Sequence, residues 1–176
     1  MLFDRDEAAL VNAAKAGDGS AFAELIRPEY RTAFRVAFGM LHDVDEAEDA
    51  VQDASFTAWR RLDNLHPGKR LRPWFLAIVA NRCRSVSKGH WSGVIKGERI
   101  ETEAEPIDLA GSLDVRRALR RLDHDERLVV VLRYYLDMPF EEIAVTLGIT
   151  SKAARRRLER AVNRLRPIVL MERAAV

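Results

Sequence analysis

Between Asp43 and Trp59 the sequence reads DVDEAEDAVQDASFTAW, and its apolar residues fall at intervals of three and four. Ala47, Ala50, Val51, Ala54 and Ala58 form one stripe, with Phe56 and Trp59 nearby, which is the period of an α-helix with one buried face. Similar spacing recurs through most of the chain. No strand-like alternation of apolar and polar residues persists, so the expected fold class is all-α. A length of 176 residues with 48% apolar content can bury a core, as one domain or as two small ones. The single cysteine, Cys83, cannot close an internal disulfide and fits a reducing compartment. The N-terminal MLFDRDEAALV lacks a signal-peptide pattern, and no apolar run approaches the ~18–20 residues of a membrane span. The expectation is a soluble cytoplasmic protein without membrane insertion.

Local signals divide the chain further. Leu10, Val11 and Ala14 begin an amphipathic segment that stops at Gly17-Asp18-Gly19. Ser20 is the expected N-cap of the next helix, with Phe22, Leu25 and Ile26 facing inward and Pro28 expected to kink or interrupt it. The pattern resumes through Tyr30, Phe34, Ala37, Phe38 and Leu41. Asp43 or Asp45 then caps a helix running to about Leu62. After the turn marked by Pro67-Gly68, Pro73 suits the first turn of a helix spanning Trp74 to about Ser87. Periodicity fails from Gly89 to Gly111, where IKGERIETEAEPIDLAG reads as a flexible linker. Helices are expected again over 113–122, 124–136 and 139–147, and from Ser151 to about Leu165, with Asp123 or His124 at the first break.

The last two of these helices fit a helix-turn-helix. Phe140, Ile143, Ala144 and Leu147 make an apolar face, Gly148 can end the first helix in the left-handed conformation, and Ile149 plugs the corner. On the second helix Ala154, Leu158, Ala161, Val162 and Leu165 cluster, opposite Lys152, Arg155, Arg156, Glu159, Arg160 and Asn163. A buried stripe backed by arginines suits a DNA major groove, because guanidinium groups neutralise phosphates and form paired hydrogen bonds with guanine. Charge distribution agrees. Residues 1–90 hold 13 Lys/Arg against 13 Asp/Glu, whereas residues 112–176 hold 14 against 9.

The acids of Asp43–Asp53 are harder to place. Glu46, Asp49 and Asp53 share one exposed face, with Gln52 beside them. A metal site would want ligands from several helices with Glu-x-x-His pairs, and none occurs. A solvated face and a docking face for a basic partner both remain.

Three stretches resemble one family. LRRLDHDERLVVVLRYYLDMPFEEIAVTLGITSKAARRRLERAVNRLR resembles region four of extracytoplasmic-function sigma factors, the small bacterial transcription initiation subunits. EAEDAVQDASFTAW is similar to the region-two signature of that family, and LRPWFLAIVANRCRS to its promoter-melting segment. The resemblance implies all-α architecture in two small helical domains. A region-two-like bundle over 1–90 and a region-four-like helix-turn-helix over 112–176 would be joined by a flexible linker over 91–111. It implies polymerase binding by Asp49, Gln52, Asp53, Ser55, Phe56 and Trp59. It implies minus-ten DNA binding by Asn64, Leu65, His66, Lys69, Arg70, Arg72, Trp74 and Asn81. Minus-thirty-five binding would fall to Ser151, Lys152, Arg155, Arg156, Arg157 and Arg160. The implied partners are core RNA polymerase, promoter DNA and an anti-sigma factor.

The chain departs from the family pattern in places. Ser85 stands where aspartate is usual, Asp123 replaces a common proline, and SKAARRR differs at base-reading positions. No catalytic constellation, cofactor motif or metal site is read. The alternative is a conventional helix-turn-helix regulator with an N-terminal sensing domain, and a helical adaptor that binds no DNA is a third class.

Overall fold

A computed structural model describes the backbone of residues 2–94 and 118–173 and the side chains of residues 7–87 and 118–166. Every regular element among them is helical: α1 (Leu2–Lys15), α2 (Gly19–Leu41), α3 (Val44–Arg60), α4 (Leu71–Val94), α5 (His124–Val130), α6 (Phe140–Leu147) and α7 (Ser151–Arg173). A 3-10 turn at Leu62–Asn64 leads out of α3, and a π-helical turn at Val131–Tyr135 continues α5. No described helix is long and apolar enough to cross a membrane. The expected linker lies outside the described residues, apart from its first residues up to Val94, which continue α4.

Helix starts follow the carboxylates. Asp18, not Ser20, caps α2, accepting the backbone N–H groups of Ser20 and Ala21 at 2.9 and 3.1 Å. Asp43 accepts the Glu46 N–H at 2.9 Å and opens α3, and Asp123 does the same for α5 through the Glu126 N–H at 2.8 Å. Each satisfies a donor that the helix itself leaves unpaired, a contribution of about 1 kcal/mol.

Four expectations are corrected. Pro28 does not interrupt α2, because Leu25, Ile26, Ala33 and Val36 on either side of it are all buried and hold one helix across the missing hydrogen bond. The fourth helix starts at Leu71 and runs past Ser87 to Val94. The expected helix over 124–136 is α-helical only to Val130, after which the π turn takes over. The last helix continues beyond Leu165 to Arg173.

In the N-terminal half α3 lies against both α2 and α4. Its inner face is Ala47, Ala50, Val51, Ala54 and Ala58, none more than 1% exposed. These short side chains let α2 and α4 approach closely, and longer ones from the neighbours fill the space: Val36, Phe38 and Met40 on α2, Phe75, Leu76 and Val79 on α4. Cys83 is buried in the same core, and burial pushes its thiol up to about 12. Trp59 meets Phe22 edge-on, with ring centroids 5.0 Å apart.

The C-terminal helices pack on this bundle. Gly39 of α2 permits the approach: a Cβ there would lie 2.8 Å from a methyl carbon of Val131. Arg127 donates to Met40 O at 3.0 Å across the seam, and to the carbonyls of Leu119, Arg120 and Leu122 within its own half. His124 sits at the same junction with both ring nitrogens buried and unpartnered. Burial, reinforced by the Arg84 and Arg127 guanidiniums against the opposing Asp123 and Asp125, lowers His124 from 6.5 to about 4.

A histidine depressed by folding favours the folded state while neutral. Its stabilising share is complete above pH 6.5 and is lost as pH falls toward 4. His124→Gln should therefore flatten the fall in unfolding free energy between pH 6.5 and 4.5, by about 2 kcal/mol. Urea titrations across that range check it, and an unchanged slope would count against the assignment.

Candidate polymerase and nucleic-acid interfaces

Because the alanine stripe turns inward, the opposite face of α3 meets solvent. Asp49, Gln52 and Asp53 are exposed there, and Phe56 projects with 62% of its surface open. An exposed aromatic is a feature of protein-binding surfaces. Ser55 and Trp59 are half-buried: the Ser55 hydroxyl donates to Val51 O at 2.8 Å, and Trp59 is taken up by Phe22. Asp53 is paired with Arg82 of α4 at 2.5 Å, a partner that sequence spacing did not reveal.

The loop between α3 and α4 is pinned from below. Leu62, Leu65 and Leu71 are buried, Lys15 donates to Leu65 O at 2.8 Å, and Glu7 accepts the Leu71 N–H at 2.7 Å. Gly68, at φ +76°, turns the chain over. Asn64, His66, Lys69 and Arg70 are thereby exposed along one edge, a cationic rim suited to a phosphate backbone. Leu65 points into the core, so its side chain anchors the loop. Arg72 is half-buried between Glu29 at 3.5 Å and Glu142 of α6 at 3.2 Å. Burial raises Glu29 above the ordinary carboxylate range, opposed by Arg72. Trp74 is half-buried and Asn81 exposed on α4.

In the C-terminal half, Gly148 ends α6 at φ 65°, ψ 34°, and the Ile149 N–H returns to Ala144 O at 3.0 Å. Thr150 caps α7, its hydroxyl accepting the Ala153 N–H at 3.1 Å. Ala154, Leu158 and Ala161 are buried beneath α7. Lys152, Arg156 and Arg160 are exposed on its outer side, and Ser151 is half-buried at its start. Arg155 is exposed but lies over the Phe140 ring at 4.3 Å and near Glu141 at 3.8 Å. Arg157 turns back to Asp125 at 3.2 Å, and Arg164 reaches the buried Glu126 at 2.7 Å. Those two pairs fix the orientation of α7 on α5.

Sequence reasoning missed the arginines that act inside the molecule. Arg127 borders the apolar run LVVVL, the one signal that it is not an ordinary surface cation. Arg35, Arg82 and Arg84 carried no comparable sign.

Two family models match the chain: Sigma-70 region 2 over residues 25–92 and Sigma-70, region 4 over residues 112–165. The ECF RNA polymerase sigma factor SigM of Mycobacterium tuberculosis is 30% identical over 168 residues, covering 92% of this chain and 84% of SigM. The probable RNA polymerase sigma factor RfaY of Xanthomonas campestris is 28% identical over 160 residues, and this chain spans only 40% of its length. Among solved structures, the sigma factor RpoE from Bartonella quintana, in complex with the anti-sigma factor NepR, superposes with a TM-score of 0.66 at 27% identity. That match covers 84% of this chain and 96% of RpoE.

Gly148 has open space around its Cα, so only backbone conformation constrains it. Gly148→Ala should cost about 1 kcal/mol, and Gly148→Asn less, because Asn tolerates the left-handed region. Thermal or urea unfolding checks the order; equal losses in both would contradict it.

Proposed function

The chain belongs to the extracytoplasmic-function sigma factors of bacterial RNA polymerase, and from that premise we propose how its faces divide the work. The acidic face of α3, with Asp49, Gln52 and Phe56 foremost, docks on a basic surface of core polymerase. Asp53, steadied by Arg82, borders that contact. The rim of Asn64, His66, Lys69 and Arg70, with Arg72, Trp74 and Asn81 behind it, engages the opened minus-ten strand. Holding a base out of the stack is disfavoured by a few kcal/mol, and cations on the backbone offset that. Helix α7 enters the major groove of the minus-thirty-five element. Lys152, Arg155, Arg156 and Arg160 face the DNA there, while Arg157 supports the helix from behind through Asp125. Residues 1–90 and 112–176 act as two weakly binding modules on one chain, so their contacts multiply through effective concentration.

The observation that carries this reading is the separation of charge: acids exposed on α3, cations exposed on the 64–70 rim and on α7. One surface cannot serve a polyanion and a basic protein equally, and here they are different surfaces. The protein supplies binding and strand separation rather than covalent chemistry, and acts in the cytoplasm where polymerase is. The conventional-regulator alternative is not favoured, because the residues that would form its sensing domain are those matching Sigma-70 region 2. An anti-sigma factor, of the kind bound to the related RpoE, would regulate it by covering these faces.

The test is reconstitution with purified core polymerase and a promoter-specific transcription assay. Asp49→Arg should weaken polymerase binding by about tenfold or more, since it sets like charge against the basic partner. Arg156→Ala should leave polymerase affinity intact and weaken minus-thirty-five DNA binding by about 1–3 kcal/mol. Absence of any promoter-specific transcript, or equal losses of both variants in both assays, would defeat the proposal.

A further inference from the structure

We infer that Glu159 is a specificity-determining residue: on the arginine face of α7 its carboxylate reads the amino group of a cytosine. The inference rests on the reading above, in which α7 enters the major groove of the upstream element, and it names one base that groove must hold.

The buried stripe of Ala154, Leu158 and Ala161 turns α7 so that Lys152, Arg156 and Asn163 point farthest outward. At 3.6 residues per turn, Glu159 and Arg160 lie on either side of Arg156, each within about 60° of it. Both are exposed, so the carboxylate faces the same way as the guanidiniums. Glu159, Arg156, Arg160 and Asn163 line one open groove of about 520 Å³, where the short Ala153 leaves room between longer side chains.

The usual reasons for an acid on a helix do not apply to Glu159. It lies well past the first turn of α7, where the helix dipole favours negative charge. Arg155 and Arg156 precede it by one turn, the spacing at which a helix pairs opposite charges. Yet Arg155 is engaged with Phe140 and Glu141, and the Glu159 side chain has no ion pair or hydrogen bond among the described residues. An unpaired carboxylate turned toward a polyanion weakens binding unless the DNA offers it a donor.

The major groove offers few. Phosphates, the guanine edge and thymine O4 are all acceptors, and they repel a carboxylate. The donors are the amino groups of cytosine and adenine. In adenine that group sits beside the N7 acceptor, whereas a carboxylate meets the cytosine N4 amino group without that opposition. The guanine paired with that cytosine presents O6 and N7, which suit a guanidinium, and Arg156 and Arg160 are placed next to Glu159 to supply one. Acid and arginine together thus select a C·G pair in one orientation.

The test uses the full chain with core polymerase and promoter DNA randomised across the upstream element, with the transcribed templates sequenced. The parent protein should enrich cytosine about tenfold over the other bases at one position of the element. Glu159→Ala should abolish that preference and leave the other positions unchanged. Glu159→Gln should move it to adenine, because an amide can pair with both N6 and N7. The side chain is exposed, so both variants should fold, and unchanged thermal unfolding checks this. Cytosine enrichment that survives in Glu159→Ala, or an equal loss of preference at every position, would overturn the inference. An element enriched only at positions indifferent to Glu159 would overturn it while leaving the sigma-factor reading intact. Transcription with no enrichment anywhere in the element would instead defeat the reading of α7 itself.

Discussion

The close approach of α2 and α4 to α3 is the constraint on which the other features depend. Four alanines and a valine can be enclosed on both sides, because none pushes a neighbour away, and the enclosure fixes the rotation of the helix about its axis. Once Ala50 and Ala54 face inward, Asp49 and Gln52 must face outward. The same packing sets the exit of α3 toward Leu62 and Leu65, and these buried leucines hold the following loop with its polar residues outward. The exposed acidic face of α3 and the cationic rim therefore share one origin. A bulky residue in the stripe would disturb both.

Arginine is used in two physical modes. Arg156 and Arg160 on α7 and Arg70 in the 64–70 loop are exposed and available to anions. Those at the junction, Arg35, Arg84 and Arg127, spend their donors on carbonyls and on Asp125. Arg72 stands between the modes, half-buried between two carboxylates yet continuous with the rim. The planar fork of the guanidinium suits both tasks, since it meets a carbonyl cluster, a carboxylate or a phosphate with the same geometry.

Helical spacing made the fold class legible, and the inward stripe of α3, the Gly148 corner and the buried face of α7 were all readable from residue periods. The caps were less so. Asp18 and Ser20 are both good capping residues, and only backbone geometry shows which one the chain uses. Pro28 misled because a local rule about proline was outweighed by burial on both sides of it. Long-range pairs were not legible at all. The partners of Asp53, Arg72 and Arg157 lie on other helices, and spacing along one helix carries no information about them. Leu65 and Arg157 illustrate the consequence: each sits within a motif associated with binding, but its side chain holds the scaffold that presents the others.

One buried side chain has a bearing on how such a protein can be addressed. Cys83 is the only sulfhydryl in the chain, enclosed by the core and kept protonated at any physiological pH. A thiol in that condition is a poor nucleophile toward peroxides, disulfides or electrophiles. The molecule therefore offers oxidants and electrophiles no ready handle through its one thiol, and labelling or sensing chemistry aimed at that group meets the packed core first.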